Sequence, residues 1–227
     1  MRNFRYDCGL DAAPLLKWFG AVLLALACGT ALAQVRATLP FRTIDPALAP
    51  VSGLLGDSPK GKIEVIQFFY YACPHCFDQQ PLIEDWLAVK PADVEFRYIP
   101  ALRDDKWVPL TKAFFALEKL GEVKRLHRPI YDVINFDSVN LSEEPKLFDW
   151  VARNGVDRAR FIEAYNTDDV KAKVDEARKL TAAYAIRTTP TLVVGGRFAV
   201  ASGLAGSHHE ALRMVNQFIG QVRAGQK

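Results

Sequence analysis

Cysteine is scarce in this chain, whose 227 residues include only four, together with two methionines and four histidines. Cys8 and Cys28 fall within the first 33 residues, so Cys73 and Cys76 are the only pair beyond them. One pair excludes a framework of several disulfides, and no second Cys-x-x-Cys pair is present to complete an ordinary zinc site. A metal half-site or a purely structural disulfide stays open as an alternative at Cys73 and Cys76, although we expect no metal because the other histidines are distant in sequence.

The chain also lacks a strong excess of charge and a long apolar run. Its formal net charge is +3, which gives no reason to expect nucleic acid or an acidic membrane surface as a partner. The longest N-terminal apolar stretch, at residues 18–27, is about half of what a membrane span needs. The length permits one domain, or one domain carrying an insertion.

Residues 1–33 have the organisation of a signal peptide. They contain a basic start, the apolar stretch and a small-x-small end: Arg2, Arg5 and Lys17; residues 18–27; and Ala31-Leu32-Ala33. Cleavage after Ala33 would export the protein to the periplasm, where disulfides persist. In an alternative interpretation Cys28 is a lipid-modified N-terminus, but Ala25 stands where an aliphatic residue is usual.

The segment Cys73-Pro74-His75-Cys76 directly follows an apolar run. A disulfide there closes so small a loop that its effect on chain entropy is slight, which favours redox chemistry. Pro74 suits the first turn of a helix, and the N–H groups of that turn would stabilise a Cys73 thiolate. His75 adds a potential positive charge or an N–H donor beside the Cys73 sulfur, which would also stabilise the thiolate. Cys76, one turn into the helix, would be the buried resolving thiol.

The remaining pattern predicts an α/β domain interrupted by helices. Residues 34–60 form an N-terminal arm, residues 61–101 and 185–227 form a sheet domain, and residues 102–184 are a helical insertion. The elements expected are strands at 63–71 and 94–99, a helix at 74–89 kinked or broken at Pro81, four or five helices in the insertion, a hairpin at 191–200 and a last helix at 207–222.

Thr188-Thr189-Pro190 precedes the hairpin. The proline either ends a helix before an edge strand or forms a cis bond with Thr189 beside Cys73, with Thr189 backbone groups available to a bound peptide.

The order of apolar strand, CPHC, helical insertion and TTP before a glycine hairpin resembles the DsbA family of periplasmic thiol–disulfide interchange proteins. The resemblance covers residue 62 to the last helix. It implies a thioredoxin-like fold with an inserted helical domain, Cys73 as nucleophile, Cys76 as resolving cysteine and Pro190 as a cis proline. It also implies reduced secreted proteins as substrates, no cofactor, and reoxidation by a quinone-coupled membrane partner of the DsbB type.

The chain departs from the family at Gln67, where well-known members carry a buried glutamate. The amide is either satisfied by backbone partners or has a hydrogen-bonding role near Cys76, in which case water or Arg97 would help to remove the Cys76 proton.

Three functions follow as hypotheses. The first is an oxidase that donates the Cys73–Cys76 disulfide and works as a monomer. The second is an isomerase or reductase, although residues 34–61 are too short for a separate dimerisation domain. The third is a non-catalytic peptide-binding chaperone of the same fold.

Overall fold

The computed structural model describes residues 39–44 and 61–225. The predicted signal peptide at residues 1–33 and most of the predicted arm at residues 34–60 lie outside them. None of the helices in these two described stretches combines the length and the apolar character required to cross a membrane.

The described residues form a mixed sheet and a set of helices. The strands are β1 (Phe41–Thr43), β2 (Ile63–Phe69), β3 (Val94–Pro100), β4 (Thr191–Val194) and β5 (Phe198–Ala201). The helices are α1 (Pro74–Val89), α2 (Val108–Lys119), α3 (Val123–Asn135), α4 (Glu144–Arg153), α5 (Arg158–Asn166), α6 (Asp168–Ala183) and α7 (His208–Ala224). This architecture is the α/β, thioredoxin-like fold expected from the sequence.

The sheet has the strand order β1-β5-β4-β2-β3. β2 runs parallel to β3 and antiparallel to β4, so β2 is hydrogen-bonded on both sides and its residues are almost all buried. The β4–β5 hairpin turns at Gly195 and Gly196, both with positive φ, and the Arg197 N–H closes it on the Val194 carbonyl. A two-residue turn of this kind requires positive φ at both positions, which glycine adopts without strain.

Each face of the sheet has its own hydrophobic core, because side chains alternate along a strand. Val65, Leu192 and Val200 belong to one cluster, which packs against α7 and part of α1. Ile66, Phe68 and Val193 belong to the other, which the helices between β3 and β4 complete. α1 contributes residues to both clusters and therefore lies between a small core and a larger, aromatic-rich core.

Three details differ from the sequence expectations. The helix is not broken at Pro81: α1 runs unbroken from Pro74 to Val89, anchored by buried Ile83 and Trp86. β1, inside the predicted arm, is an additional strand that pairs with β5. β2 ends at Phe69, two residues before the expected end at residue 71, because Tyr70 begins a turn in which its carbonyl accepts from the Cys73 N–H.

Candidate active site

Cys73 lies at the N-terminal end of α1. It is the N-cap residue with extended backbone, Pro74 follows in the first turn, and the Cys76 and Phe77 N–H groups bond to the Cys73 carbonyl. Proline fits here because the first helical N–H groups have no intrahelical partner. The turn thus places the half-buried Cys73 sulfur at the exposed end of the helix.

The surroundings of Cys73 stabilise its thiolate. A hydrogen bond from the Cys76 thiol lowers the pKa of Cys73 most, bonds from Thr189 and the backbone N–H groups of Cys76 and His75 act in the same direction, and burial opposes them. The resulting pKa is about 6, against an ordinary 9.0. Donors aimed at the sulfur outweigh the cost of partial desolvation.

Cys76 has the opposite environment. Its side chain is 0% exposed, and burial raises the pKa of the thiol well above its ordinary value, with the neighbouring Cys73 adding to the shift. Both cysteines are free thiols in this structure. At neutral pH one proton therefore resides on Cys76 and the negative charge on Cys73.

The Thr189–Pro190 bond is cis, as the second interpretation of the TTP segment predicts, and lies beside Cys73. The Cys73 thiol donates to the Thr189 carbonyl oxygen, with Sγ and O 3.3 Å apart. Residues 116 positions apart are thus in contact. In the reduced, protonated form this carbonyl is occupied by the thiol.

His75 and Pro74 are both exposed. The backbone N–H of His75 is what faces the Cys73 sulfur, whereas its imidazole lies near His208, with ring centroids 6.4 Å apart. His208 is half-buried, and burial lowers its pKa. The sequence alone gives no sign that α7 brings His208 beside His75.

A group of rings, all buried except the half-buried Tyr98, lies with Cys76 in the larger core, and we call it the aromatic cluster. It consists of Phe69, Tyr71, Tyr98, Phe114, His127 and Tyr131. His127 Nδ1 is 2.9 Å from the Tyr71 hydroxyl oxygen, and burial lowers the His127 pKa to about 3. Burial raises the Tyr131 pKa, with Cys76 adding to the shift.

Gln67 is fully buried and bonded to side chains. Its Nε2 donates to Gln79 Oε1 at 3.0 Å, and Gln79 Nε2 donates to Ser202 Oγ at 2.8 Å. The Gln67 Oε1 atom has no partner among the described residues. The partners are therefore side chains of α1 and the segment after β5, and Arg97 pairs instead with Glu64, Nη1 to Oε1 at 2.8 Å.

Apolar side chains are exposed close to the redox pair. Phe77 is half-buried and stacks edge-on against Phe136, which is 72% exposed. Trp107 stacks flat on Tyr70, with centroids 4.1 Å apart, and is half-buried at the edge of the core. An exposed phenylalanine beside Phe77 was not predicted, because Phe136 ends α3 far along the sequence.

Comparison with known proteins identifies the proteins to which this chain is similar. The family model of the DSBA-like thioredoxin domain matches residues 103–210, which follow the CPHC motif. The chain is 36% identical over 166 residues to the thiol:disulfide interchange protein DsbA of Azotobacter vinelandii, covering 73% of this chain and 78% of that protein. Identity to the Burkholderia cepacia DsbA is 31% over 91% of this chain and 97% of that protein.

Solved structures give the same result. The crystal structure of Pseudomonas aeruginosa DsbA superposes with a TM-score of 0.75 at 32% identity, covering 82% of this chain and 94% of that one. The oxidoreductase DsbA of Xylella fastidiosa gives a TM-score of 0.72 at 30% identity, covering 81% and 95%.

Proposed function

The chain belongs to the DsbA family of thiol:disulfide interchange proteins, and we propose that it is an exported dithiol oxidase that donates a Cys73–Cys76 disulfide to newly secreted proteins. Its family makes it a thiol–disulfide oxidoreductase that exchanges disulfides with protein substrates. The direction of exchange, the residue roles and the location in the periplasm are the proposal.

One observation carries the direction. The Cys73 pKa is lowered to about 6 while the Cys76 pKa is raised. A stabilised thiolate favours the reduced protein, because only the reduced form contains it, and the disulfide is correspondingly a stronger oxidant. Electrons then pass from substrate thiols to this pair.

The reaction proceeds in two exchanges. A substrate thiolate attacks the Cys73 sulfur, the Cys73–Cys76 bond breaks, and Cys76 takes up a proton, which its raised pKa favours. A second substrate thiolate attacks the substrate sulfur of the mixed disulfide and releases Cys73 as a thiolate. The substrate loses two electrons and the enzyme gains them. Cys73 leaves readily because its pKa is low.

The other site residues support these steps. Pro74 begins the helix whose N–H groups face the sulfur, and His75 supplies one of them. Thr189 and Pro190 form the backbone segment beside Cys73 on which we place the substrate peptide, in extended form. Exposed Phe136 and half-buried Phe77 offer apolar contacts to an unfolded chain.

Turnover needs an electron acceptor for the reduced pair. By analogy with the family we assign this role to a quinone-coupled membrane oxidase of the DsbB type. Residues 1–33 are the proposed export signal.

The redox equilibrium of the Cys73–Cys76 pair with a glutathione buffer tests the direction. We expect the pair to be largely reduced in buffers in which the pair of a cytosolic reductant is still oxidised. A potential near that of cytosolic reductants would contradict the oxidase and support a reductase, while leaving the family assignment unaffected.

Oxidation of a reduced, unfolded secreted protein by Cys73→Ser and Cys76→Ser tests the roles. We expect both variants to lose oxidation of the reduced substrate, because neither can form the Cys73–Cys76 disulfide. Cys76→Ser that carries glutathione in a mixed disulfide at Cys73 should still be attacked by a substrate thiolate, release glutathione and accumulate the mixed disulfide with the substrate, whereas Cys73→Ser should form none. A Cys73→Ser variant that keeps full activity in preventing aggregation, with no oxidation by the wild type, would support the chaperone. Rearrangement of mispaired disulfides without net oxidation would support the isomerase.

A further inference from the structure

Three potential metal ligands meet beside the redox motif. They are His75 and Asp78 of α1 and His208 of α7, and their donor atoms all lie within 4.8 Å of one another. His75 and Asp78 are exposed and His208 is half-buried. The chain has only four histidines, and two of them are in this group.

The packing of two helices holds the group together. His75 and Asp78 are three residues apart, so they share one face of α1. His208 is the first residue of α7, and that helix is fixed against α1 by a hydrogen bond from Trp86 Nε1 to Asn216 Oδ1 at 2.9 Å. Buried Ala211 and Leu212 anchor the turn that carries His208. The ligand positions are therefore set by the fold and not by mobile loops.

One ring nitrogen of His208 lacks a hydrogen-bond partner. His208 Nδ1 is buried and has no hydrogen-bond partner among the described residues. A buried ring nitrogen without a partner is uncommon in folded proteins. This is independent of the clustering and indicates that an interaction of His208 is incomplete in the protein alone.

We propose that His75, Asp78 and His208 bind a zinc ion at the mouth of the redox site. Two imidazoles and one carboxylate are an established set of zinc ligands, and they leave a fourth position for water. With bonds of about 2.0–2.2 Å, tetrahedral ligand atoms lie about 3.4 Å apart. Atoms now within 4.8 Å reach that spacing when the exposed His75 and Asp78 side chains rotate.

The local charges partly oppose and partly favour a cation. Both α1 and α7 direct their positive N-terminal ends towards the group, which lowers the affinity by about fivefold for each helix. The Asp78 carboxylate acts in the opposite direction, and exposed His209 adjoins His208. A zinc ion held there would add positive charge two residues from Cys73, which stabilises its thiolate.

Zinc titration of the oxidised protein by calorimetry tests the site. Oxidation is essential to the design, because the Cys73 and Cys76 sulfurs in a disulfide cannot act as competing zinc ligands. The protein is the exported chain without a polyhistidine tag. We expect one zinc ion per chain and a loss of at least tenfold in affinity in both Asp78→Asn and His208→Gln.

His209→Gln is the matched control, since it removes the adjacent, exposed imidazole and should leave affinity within twofold of wild type. Cobalt absorption provides a second readout, with a visible band of tetrahedral cobalt in wild type and its loss in His208→Gln. Circular dichroism checks that each variant folds. Absence of saturable zinc binding, or equal weakening by His208→Gln and His209→Gln, would overturn the proposal and leave the proposed oxidase unaffected.

Discussion

We call half-buried Cys73 and its hydrogen-bond donors the mouth of the redox site. The mouth favours the charged form of its ionisable side chain, whereas the larger core with the aromatic cluster favours the neutral forms. At the mouth, the half-buried Cys73 receives several donors and has a pKa of about 6. In the larger core, Cys76 and Tyr131 are buried without enough donors and their pKa values rise, while that of His127 falls to about 3. Partial burial with donors favours charge, whereas full burial excludes it. The two neighbouring regions therefore give the two sulfurs different roles: Cys73 is the leaving group and Cys76 is the proton acceptor.

His127→Phe should have the largest effect, on the stability of the cluster in acid. The folded pKa of about 3 lies below the ordinary 6.5, so the unfolded chain binds the extra proton. Wild-type stability is therefore lost as pH falls from 6.5 towards 3, by about 4 kcal/mol for this group. The stability of the variant does not have this pH dependence, because phenylalanine binds no proton. The variant also lacks the hydrogen bond to Tyr71, and that loss is the same at every pH.

Urea unfolding from pH 7 to pH 4 measures the free energy of unfolding of wild type and variant. We expect the stability difference between the two proteins to shrink as pH falls. A constant difference would mean that His127 is not held neutral by burial, and the contrast with the mouth would fail.

Alkylation of the reduced protein compares the two thiols directly. Cys73 should react as a thiolate with half-maximal rate near pH 6, and at pH 7 more than about a hundredfold faster than Cys76. Cys76→Ala removes the donor that contributes most to the shift and should raise the Cys73 pKa. An unchanged alkylation profile in Cys76→Ala would show that the backbone donors suffice alone.

The reduced protein should gain stability relative to the oxidised protein as pH rises from 6 to about 8. The ordinary thiol pKa of 9.0 applies in the unfolded chain, whereas the pKa of Cys73 in the folded protein is about 6. The unfolded chain therefore binds more protons in this range, and stability increases with pH. Partial exposure reduces the gain to about 2 kcal/mol. Melting curves of both redox forms test this, and parallel pH dependences would contradict a Cys73 thiolate.

Gln67→Glu should have the smallest effect, because the Gln67 side chain donates to Gln79 of α1 and not to either cysteine. A carboxyl buried beside Gln79 could exchange a proton that the amide cannot. We expect a shift in the pH dependence of thiol exchange, with a rate change below about tenfold. Ser202→Ala, which removes only the end of the same hydrogen-bonded chain, is the control. An unchanged profile in Gln67→Glu would rule out a role for residue 67 in proton transfer.

Local patterns were enough to predict most of the fold. The β2–α1 junction was expected at Cys73 and lies there, because β-branched and aromatic residues end where Pro74 begins a helix. β1 was missed because three residues are too few to show alternation, and its pairing with β5 is a tertiary effect. The sequence predicted a kink or a break at Pro81, and the break was wrong, since burial of Ile83 and Trp86 retains the helix.

The site was predictable only where its residues adjoin a motif. Cys73, Cys76 and the cis Thr189–Pro190 bond belong to short segments that the sequence marks. His208 and His127 carry no local signal, because their neighbours are set by the packing of α7 on α1 and of α3 on the sheet. The domain boundaries at residues 101/102 and 184/185 stay a prediction.

The location of both sulfurs within a single helical turn has a consequence for repeated use. Forming or cleaving their bond constrains only two intervening residues. The strand pairings in the part of the chain that the structure describes are made by main-chain hydrogen bonds, which contain no sulfur. The rest of the fold therefore does not need to rearrange when the Cys73–Cys76 pair changes between its disulfide and dithiol forms. Such a protein can be reduced and reoxidised many times without unfolding.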